Sequence, residues 1–325
     1  EAFTVEVTDL ACGDSVIAKK DINVYLEKYV RIVEQINHNE AYGAGYTPDP
    51  LLPFDKAIEY KENKVEGLNQ GVYITVKTHK YTPAGTYTGS CKINVDGKKT
   101  YNVPVSVTVW DFAISDEVHT RSLFDIWSSY LMNCELENSP EMYDKYAAAL
   151  NEYGLSATSL NVTDGTLEDM IAEFIEKARV ATKNPKVTAY DIPTLYFEGI
   201  STSDCNNRVK LFKEVAKAST ADCCLFDKMI LYFGTMIDEP QFDSSRDALV
   251  NPVIESIELS KQTAVDELTA EGFFDTLEPE YAEHLKERML KIPNILTGPY
   301  RDYYIDGGAT YCPLFDQFAT EEKRA

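Results

Sequence analysis

The sequence predicts a multidomain protein in which an all-β domain precedes an α/β domain. The first third of the chain alternates apolar and polar residues with a period of two, whereas the rest alternates short apolar runs with amphipathic helical segments. The charge is also uneven, because residues 1–114 hold 15 acidic and 12 basic residues and residues 115–325 hold 38 and 19. We therefore predict two domains, at 1–114 and 115–325.

The clearest element of the first domain is a β-hairpin. Two alternating runs, Tyr87 to Val95 and Tyr101 to Val109, flank the step Asp96-Gly97, whose glycine tolerates the positive φ of a tight turn. Three earlier runs, "FTVEV", "INVYLEKYVRIV" and "GVYITV", have the same alternation. Together they predict a β-sandwich of about 110 residues. Residues 37–53, which are rich in proline and glycine, predict a long surface loop.

The second domain shows helix signals between apolar runs. Ser139 before Pro140 starts one helix, with Met142, Tyr146, Leu150 and Tyr153 on one face. Thr166 starts another, with an apolar stripe that includes Met170, Phe174 and Ala178. Candidate strands lie between the helices, at 121–127, 155–162, 187–192, 229–237, 293–296 and 309–315. This alternation predicts parallel strands joined by right-handed crossovers.

About six such strand-helix units fit either a doubly wound sheet or most of a TIM barrel. A doubly wound nucleotide fold usually begins with a glycine-rich phosphate loop, and the sequence contains neither G-x-G-x-x-G nor G-x-x-x-x-G-K-[ST]. The sequence therefore favours a TIM barrel. Because a complete barrel has eight units, we expect an incomplete barrel in these residues, with open strand edges that allow oligomerisation.

Composition excludes several classes of function. The net charge of −22 disfavours nucleic acid as a partner, because phosphate binding depends on clustered lysine and arginine. We expect no membrane span, since no run approaches about 20 apolar residues, and no signal peptide within these residues. The four histidines lack metal-site spacing, so we expect neither a metal nor a cofactor. Most of the seven cysteines are expected to be small buried residues.

Two adjacent acids, Asp238 and Glu239, follow the apolar run "LYFGTMI" and precede Pro240. In a barrel, the functional groups gather at the C-terminal ends of the strands. We expect the acids to lie at the end of the fourth strand, with Glu239 extended because a residue before proline avoids the right-handed helical region. Two neighbouring carboxylates repel each other, which raises the pKa of one toward the protonated state of a general acid. The alternative is that the two acids are solvated loop residues or caps of the following helix.

Several of these stretches together resemble glycoside hydrolase family 123 and related sandwich-plus-barrel proteins. They are "YTPDPLLP", "AGTYTGSCKINVDGKKTYNVPVSVTVWDFAI", "DEP" and "ATYCPLFDQF", and the resemblance covers nearly the whole chain. It implies a β-sandwich before a TIM barrel, and a bacterial extracellular or cell-surface enzyme. The implied activity removes terminal β-linked N-acetylhexosamine, chiefly N-acetylgalactosamine, from a glycan with retention of configuration.

The resemblance also implies a role for each acid of the pair. Glu239 would be the acid/base, and Asp238 would orient and stabilise the acetamido group of the substrate. The acetamido oxygen of the sugar is then the nucleophile, so the protein supplies only a proton donor and a carboxylate at the amide N–H. A catalytically silent carbohydrate-binding or cell-surface scaffold protein on the same fold is the alternative function.

Four further residues are candidates for substrate binding. Trp127 and Tyr196 follow the first and third predicted strands of the barrel and are expected to stack on the sugar, although packing at the rim is the alternative for each. Asn161 closes the second predicted strand and is expected to bind a sugar hydroxyl. Asp125 is a further polar residue near the end of the first predicted strand.

Overall fold

The structure is a computed structural model that describes residues 2–34, 44–63, 69–298, 301, 303–304 and 310–311. The chain divides into two compact units, Glu1–Ser115 and Asp116–Ala325. Sequence predictions for Cys312 and for residues 35–43 lie outside the described residues.

The N-terminal unit is built from two antiparallel sheets and one short helix. Its strands are β1 Phe3–Val7, β2 Leu10–Cys12, β3 Ser15–Ile17, β4 Ile22–Ile32, β5 Gly45–Pro53, β6 Val72–Val76, β7 Gly85–Val95 and β8 Lys99–Val109. The helix is α1, Phe54–Glu59, and a 3-10 turn spans Lys19–Asp21. One sheet has the order β1-β7-β2-β3 with β8 paired to β7, and the other has the order β5-β4-β6.

Both sheets contribute to one hydrophobic core, which is the layering that defines a sandwich. Phe3, Val5 and Val7 are buried at alternate positions of β1, and Leu26 of β4 belongs to the same cluster. The hairpin expected at Asp96-Gly97 is confirmed. Strands β7 and β8 pair along their whole length, from Val95 opposite Lys99 to Gly85 opposite Val109. Asp96 and Gly97 both have positive φ, at 50° and 64°.

The predicted surface loop at residues 37–53 is wrong for its second half. Residues 45–53 form β5. This strand pairs antiparallel with β4, from Gly45 opposite Ile32 to Pro53 opposite Tyr25. The prolines of this segment predicted a loop, but proline is also tolerated on an edge strand. Strand β5 is an edge of its sheet. The register shifts between Glu27 and Tyr29, as at a β-bulge.

The C-terminal unit alternates helices with short parallel strands. Its helices are α2 Ser128–Glu135, α3 Pro140–Glu152, α4 Leu167–Lys183, α5 Thr202–Ala218, α6 Gly234–Ile237, α7 Ser244–Asp247, α8 Val250–Ala270 and α9 Pro279–Leu290. Its strands are β9 Tyr190–Asp191, β10 Met229–Tyr232, β11 Asn294–Leu296 and β12 Thr310–Tyr311. The 3-10 turns Pro240–Phe242 and Phe274–Thr276 complete the unit.

The parallel segments of this unit lie side by side in the same order as in the sequence. Phe124 forms a parallel bridge with Ala157, and the Asp191 N–H donates to the Thr158 carbonyl at 2.8 Å, which joins this bridge to β9. From there the sheet runs β9, β10, β11, β12. A doubly wound sheet reverses its order at a switch point, whereas a TIM barrel does not. The described strands show no reversal and no closed ring, so the TIM barrel stays a prediction.

The helices of this unit differ in how far they are buried. The stripe expected on α4 is confirmed, since Met170, Phe174 and Ala178 are buried and Thr166 caps the helix by accepting from the Asp169 N–H. Ser139 caps α3 as expected. On the predicted apolar face of α3, Met142 and Leu150 are half-buried, whereas Tyr146 and Tyr153 are exposed.

The cysteines are less buried than expected. Of the six that the structure describes, Cys91, Cys223 and Cys224 are buried, and all six are free thiols. Cys134 is exposed, which the sequence prediction did not foresee. Among the helices in the described part of the chain, none combines the length and the apolar character needed to span a membrane.

Candidate active site

The loops that follow the parallel segments enclose a cleft of about 420 Å³. Its lining comes from the residues just after Phe124 and Ala157, and from the C-terminal ends of β9 and β10. Five carboxyl side chains belong to the lining: Asp125, Asp164, Asp191, Glu198 and Asp238. The aromatic members are Trp127, Tyr143 and Tyr232. This cleft is the candidate active site, because it combines convergent acids with aromatic surface at the strand ends.

The backbone before the acid pair differs from the sequence prediction, because a helical turn separates the strand from the two acids. The strand expected at 229–237 ends at Tyr232, and Gly234–Ile237 forms the single turn α6. Asp238 then returns to extended backbone, with φ −65° and ψ 130°. The expected extended conformation of Glu239 is wrong, because its φ of 47° and ψ of 51° lie in the left-handed region. Pro240 excludes the right-handed region, and the Glu239 N–H is fixed by donation to the Thr297 carbonyl at 3.1 Å.

Asp238 is a half-buried acid held by two hydroxyl groups. The Tyr232 hydroxyl donates to Asp238 Oδ1 at 2.8 Å, and the Thr297 hydroxyl donates to the same oxygen. The Arg246 guanidinium donates to the Asp238 carbonyl at 2.7 Å, which fixes the backbone. The side chain therefore has a defined direction and lines the cleft. Glu239 is half-buried and does not belong to the described lining.

Asp191 is a cleft residue that sequence reasoning missed. It ends β9 and is only 6% exposed, and its Oδ1 accepts from the N–H groups of Ile192 at 2.8 Å and Tyr232 at 3.2 Å. Burial raises the pKa of Asp191 well above its usual range, and the nearby charges of Glu198 and Asp125 act in the same direction. The signal was present, because Asp191 closes a predicted strand shortly before a proline, as Asp238 does.

Two of the four predicted binding residues line the cleft, namely Asp125 and Trp127. The Trp127 side chain is 53% exposed and stacks on Tyr130 with a centroid distance of 5.7 Å and an interplanar angle of 12°. An exposed indole at a cleft, backed by a second ring, is a suitable platform for a sugar face. Tyr143 also faces the cleft, and its hydroxyl donates to the Ser159 carbonyl at 2.9 Å.

The other two predicted binding residues, Asn161 and Tyr196, lie outside the described lining. The Asn161 amide donates to the Pro140 carbonyl at 3.1 Å and to Asp144 Oδ1 at 3.0 Å, so it joins its loop to the start of α3. The Tyr196 hydroxyl donates to the Gly165 carbonyl at 3.2 Å. Both residues have positive φ, at 55° and 72°. These contacts stabilise the conformation of the loops in which Asn161 and Tyr196 lie.

Arg208 is a buried cation that holds a cleft loop. It is fully buried on α5, and it donates to the carbonyls of Phe197 at 2.7 Å and Gly199 at 2.5 Å, on either side of Glu198. It also donates to the Ser256 hydroxyl of α8 and lies 5.4 Å from the centroid of the Phe233 ring. Arg208 thus links the loop after β9, the loop after β10 and α8.

Substituting methionine for Arg208 is expected to lower the free energy of unfolding by about 3 kcal/mol, because buried carbonyls lose a charged donor. Urea denaturation followed by circular dichroism measures the change. The matched control is Arg121→Met, because Arg121 is exposed and makes one 3.3 Å bond to the Asp227 carbonyl. The control should stay within about 0.5 kcal/mol of the parent. Equal losses in the two variants would contradict the role given to Arg208.

Comparison with known proteins leaves the family open. No protein-family model matches the chain, and no curated protein matches it significantly. The resemblance to glycoside hydrolase family 123 therefore stays a prediction based on the sequence motifs. The cleft and its acids carry the functional argument instead.

Proposed function

We propose that this protein is a retaining, substrate-assisted glycoside hydrolase that removes terminal β-linked N-acetylgalactosamine from a glycan. The observation that supports this most is the cleft at the strand ends, where several carboxyl groups and an exposed tryptophan converge. Hydrolysis of a glycosidic bond needs a proton donor and stabilisation of positive charge, and carboxyl groups supply both. The exposed indole offers an apolar face to the sugar ring.

In the proposed reaction the acetamido oxygen of the substrate attacks the anomeric carbon as the glycosidic bond breaks. The leaving oxygen takes a proton from Glu239, and an oxazolinium ion forms. Asp238 accepts the acetamido N–H, where positive charge develops. Glu239 then takes a proton from a water molecule, which attacks the anomeric carbon. This step opens the oxazolinium ring and restores the acetamido group. Two displacements at the same carbon leave the configuration retained.

The contacts of Asp238 fit this assignment. Two hydroxyl donors on Oδ1, from Tyr232 and Thr297, fix the direction of the Asp238 side chain. A carboxylate that is already oriented stabilises developing charge without reorganising during the reaction. These contacts support Asp238 as the group that orients the amide, because its carboxyl group is held in one direction by two hydroxyl groups.

The charge of the lining supports an uncharged sugar as the substrate. Its described members include five carboxyl side chains and no lysine, arginine or histidine. Anionic sugars such as uronic acids or sulfated hexosamines would be repelled at such a site. A neutral N-acetylhexosamine avoids this cost.

One observation favours the alternative of a catalytically silent carbohydrate-binding protein. Glu239, the assigned proton donor, does not belong to the described lining, although its neighbour Asp238 does. Such a protein would be stabilised thermally by N-acetylgalactosamine and would release no product.

The proposal is tested by comparing two chromogenic substrates that differ only at C2. We expect hydrolysis of the N-acetyl-β-galactosaminide and no detectable hydrolysis of the β-galactoside, because the latter lacks the internal nucleophile. Equal rates on both substrates would contradict substrate assistance. No turnover of either, together with a rise in Tm on adding N-acetylgalactosamine, would establish the binding protein instead.

Trp127→Ala is expected to raise KM about fivefold, which corresponds to about 1 kcal/mol of lost stacking on the sugar ring. The value of kcat should change little, since the contact is the same in the ground state and the transition state. The matched control is Trp110→Ala, because Trp110 is 71% exposed and lies in the N-terminal unit. Steady-state kinetics on the N-acetylgalactosaminide would overturn the platform role if the two variants had the same KM.

A further inference from the structure

Three metal-binding side chains meet at the end of β10 opposite to the cleft. Cys224 and Asp227 precede this strand, and His284 lies on α9. The Cys224 sulfur, an Asp227 carboxylate oxygen and a His284 ring nitrogen all lie within 4.8 Å of one another. No motif spacing reveals this group, because about 60 residues separate Asp227 from His284 in the chain.

The distances are close to those of a coordination site. With metal–ligand bonds of about 2.0–2.3 Å, two ligands of a tetrahedral zinc ion lie roughly 3.6 Å apart. The three side chains must therefore approach one another by about 1 Å. Cys224 is buried, Asp227 is half-buried and His284 is exposed, so the imidazole has space to move toward the other two groups. His284 Nε2 already lies 3.4 Å from Asp227 Oδ1.

A second observation at the same place is the hydroxyl of Tyr281. Tyr281 and His284 are three residues apart on α9 and share a face of the helix. The Tyr281 hydroxyl is buried and has no hydrogen-bond partner among the described residues. A buried hydroxyl that lacks a partner, on the same face of α9 as His284, is a candidate for the fourth position.

Arg288 holds the carboxylate of the group. Its Nε lies 2.9 Å from Asp227 Oδ1, and its terminal nitrogen donates to the Asp227 carbonyl at 2.6 Å. In metal sites, a donor outside the ligand set commonly orients a coordinating carboxylate. The positive charge of the guanidinium also reduces the net negative charge of the ligand group. One thiolate and one carboxylate would therefore neutralise the charge of a bound dication only in part. The site would be weaker than one with two thiolates.

We propose that Cys224, Asp227 and His284 bind a zinc ion, with the Tyr281 hydroxyl or a water molecule as the fourth ligand. Thiolate, imidazole and carboxylate together are a ligand set that suits zinc and does not suit calcium or magnesium. Binding would release the thiol proton of Cys224 to solvent, since zinc coordinates the thiolate.

The proposed ion would have a structural role that is independent of the proposed hydrolase activity. It would join the segment before β10 to α9, two parts of the chain that already meet through Arg288 and Asp227. In barrels, chemistry takes place at the C-terminal ends of the strands, and residues at the N-terminal ends contribute to stability. A site before β10 is therefore expected to contribute to stability. Metal removal should therefore lower Tm, whereas turnover below the unfolding temperature should not change.

The test is titration of the purified full chain with zinc and with cobalt(II). We expect one ion per chain, and a thiolate-to-cobalt charge-transfer band in the near ultraviolet. His284→Ala and Cys224→Ser should each weaken binding by more than about tenfold and abolish or shift the band. The matched control is Cys223→Ser, because Cys223 is the adjacent buried thiol and is not one of the three ligands.

Two results would overturn the proposal. One is the absence of a thiolate band in the parent protein. The other is unchanged zinc affinity in His284→Ala, a variant of an exposed residue whose folding is checked by circular dichroism. If Cys224→Ser fails to fold, the cobalt spectrum of the parent and the affinity of His284→Ala still decide between the outcomes.

Discussion

Asp238→Asn is expected to lower kcat/KM on an N-acetyl-β-galactosaminide by about 10²–10³-fold. Asparagine preserves the shape of the side chain and its bond with the Tyr232 hydroxyl, but it removes the carboxylate that, in the proposed reaction, would face the oxazolinium ion. The loss should fall mainly on kcat, because the charge develops only in the transition state. Steady-state kinetics on the purified variant measures it.

The matched control for this variant is Asp266→Asn, because Asp266 is an exposed acid on α8 outside the cleft lining. This control should keep the parent kinetics. If Asp238→Asn raised KM and left kcat unchanged, Asp238 would bind the substrate without stabilising the transition state. That result would contradict the role assigned to the carboxylate.

Glu239→Gln is expected to lower kcat/KM by about 10²–10⁴-fold for a substrate with a poor leaving group. For a dinitrophenyl glycoside the loss should be much smaller, because a good leaving group departs without a proton. A change that depends on the leaving group is a signature of the general acid, and a purely structural defect would not show it.

Asp191→Asn serves as the comparison for Glu239→Gln. Asp191 is a buried acid of the cleft, and asparagine keeps an oxygen that can accept from the Tyr232 N–H. We expect a smaller loss that is independent of the leaving group. The opposite pattern, with leaving-group dependence in Asp191→Asn alone, would transfer the proton-donor role from Glu239 to Asp191.

The pH dependence separates the two acids further. Burial raises the pKa of Asp191 well above its usual range, so this carboxyl stays protonated to higher pH than an exposed aspartate. If Asp191 were the donor, kcat/KM would persist to higher pH than with an exposed aspartate and would fall as the pH rises through this raised pKa, and that fall would vanish in Asp191→Asn. If Asp191 is not the donor, Asp191→Asn should leave the pH profile of the parent unchanged.

The fold could be predicted from the sequence where periodicity follows burial. The β7–β8 hairpin and the stripe of α4 have this property, since their apolar positions are the packed ones. The strand β5 was missed because its prolines resemble a loop and its pairing with β4 is a long-range contact. The apolar face of α3 is only half-buried, because helical spacing does not reveal whether a neighbouring element covers a face.

The site could be predicted in part, because strand ends indicate where side chains converge. Asp125, Trp127 and Asp238 do lie at the cleft. The backbone of Glu239 could not be foreseen, since its left-handed conformation depends on α6 and on the contact with Thr297. The Cys224, Asp227 and His284 group was missed for a related reason, namely that only the tertiary fold brings β10 and α9 together.

The most direct test of the account is the anomeric configuration of the first product. Hydrolysis of an N-acetyl-β-galactosaminide is followed by proton NMR before the product mutarotates. The proposed mechanism predicts that the β-anomer appears first, because the internal acetamido nucleophile gives two displacements at the anomeric carbon. The α-anomer as first product, or the absence of any product from folded protein, would contradict it.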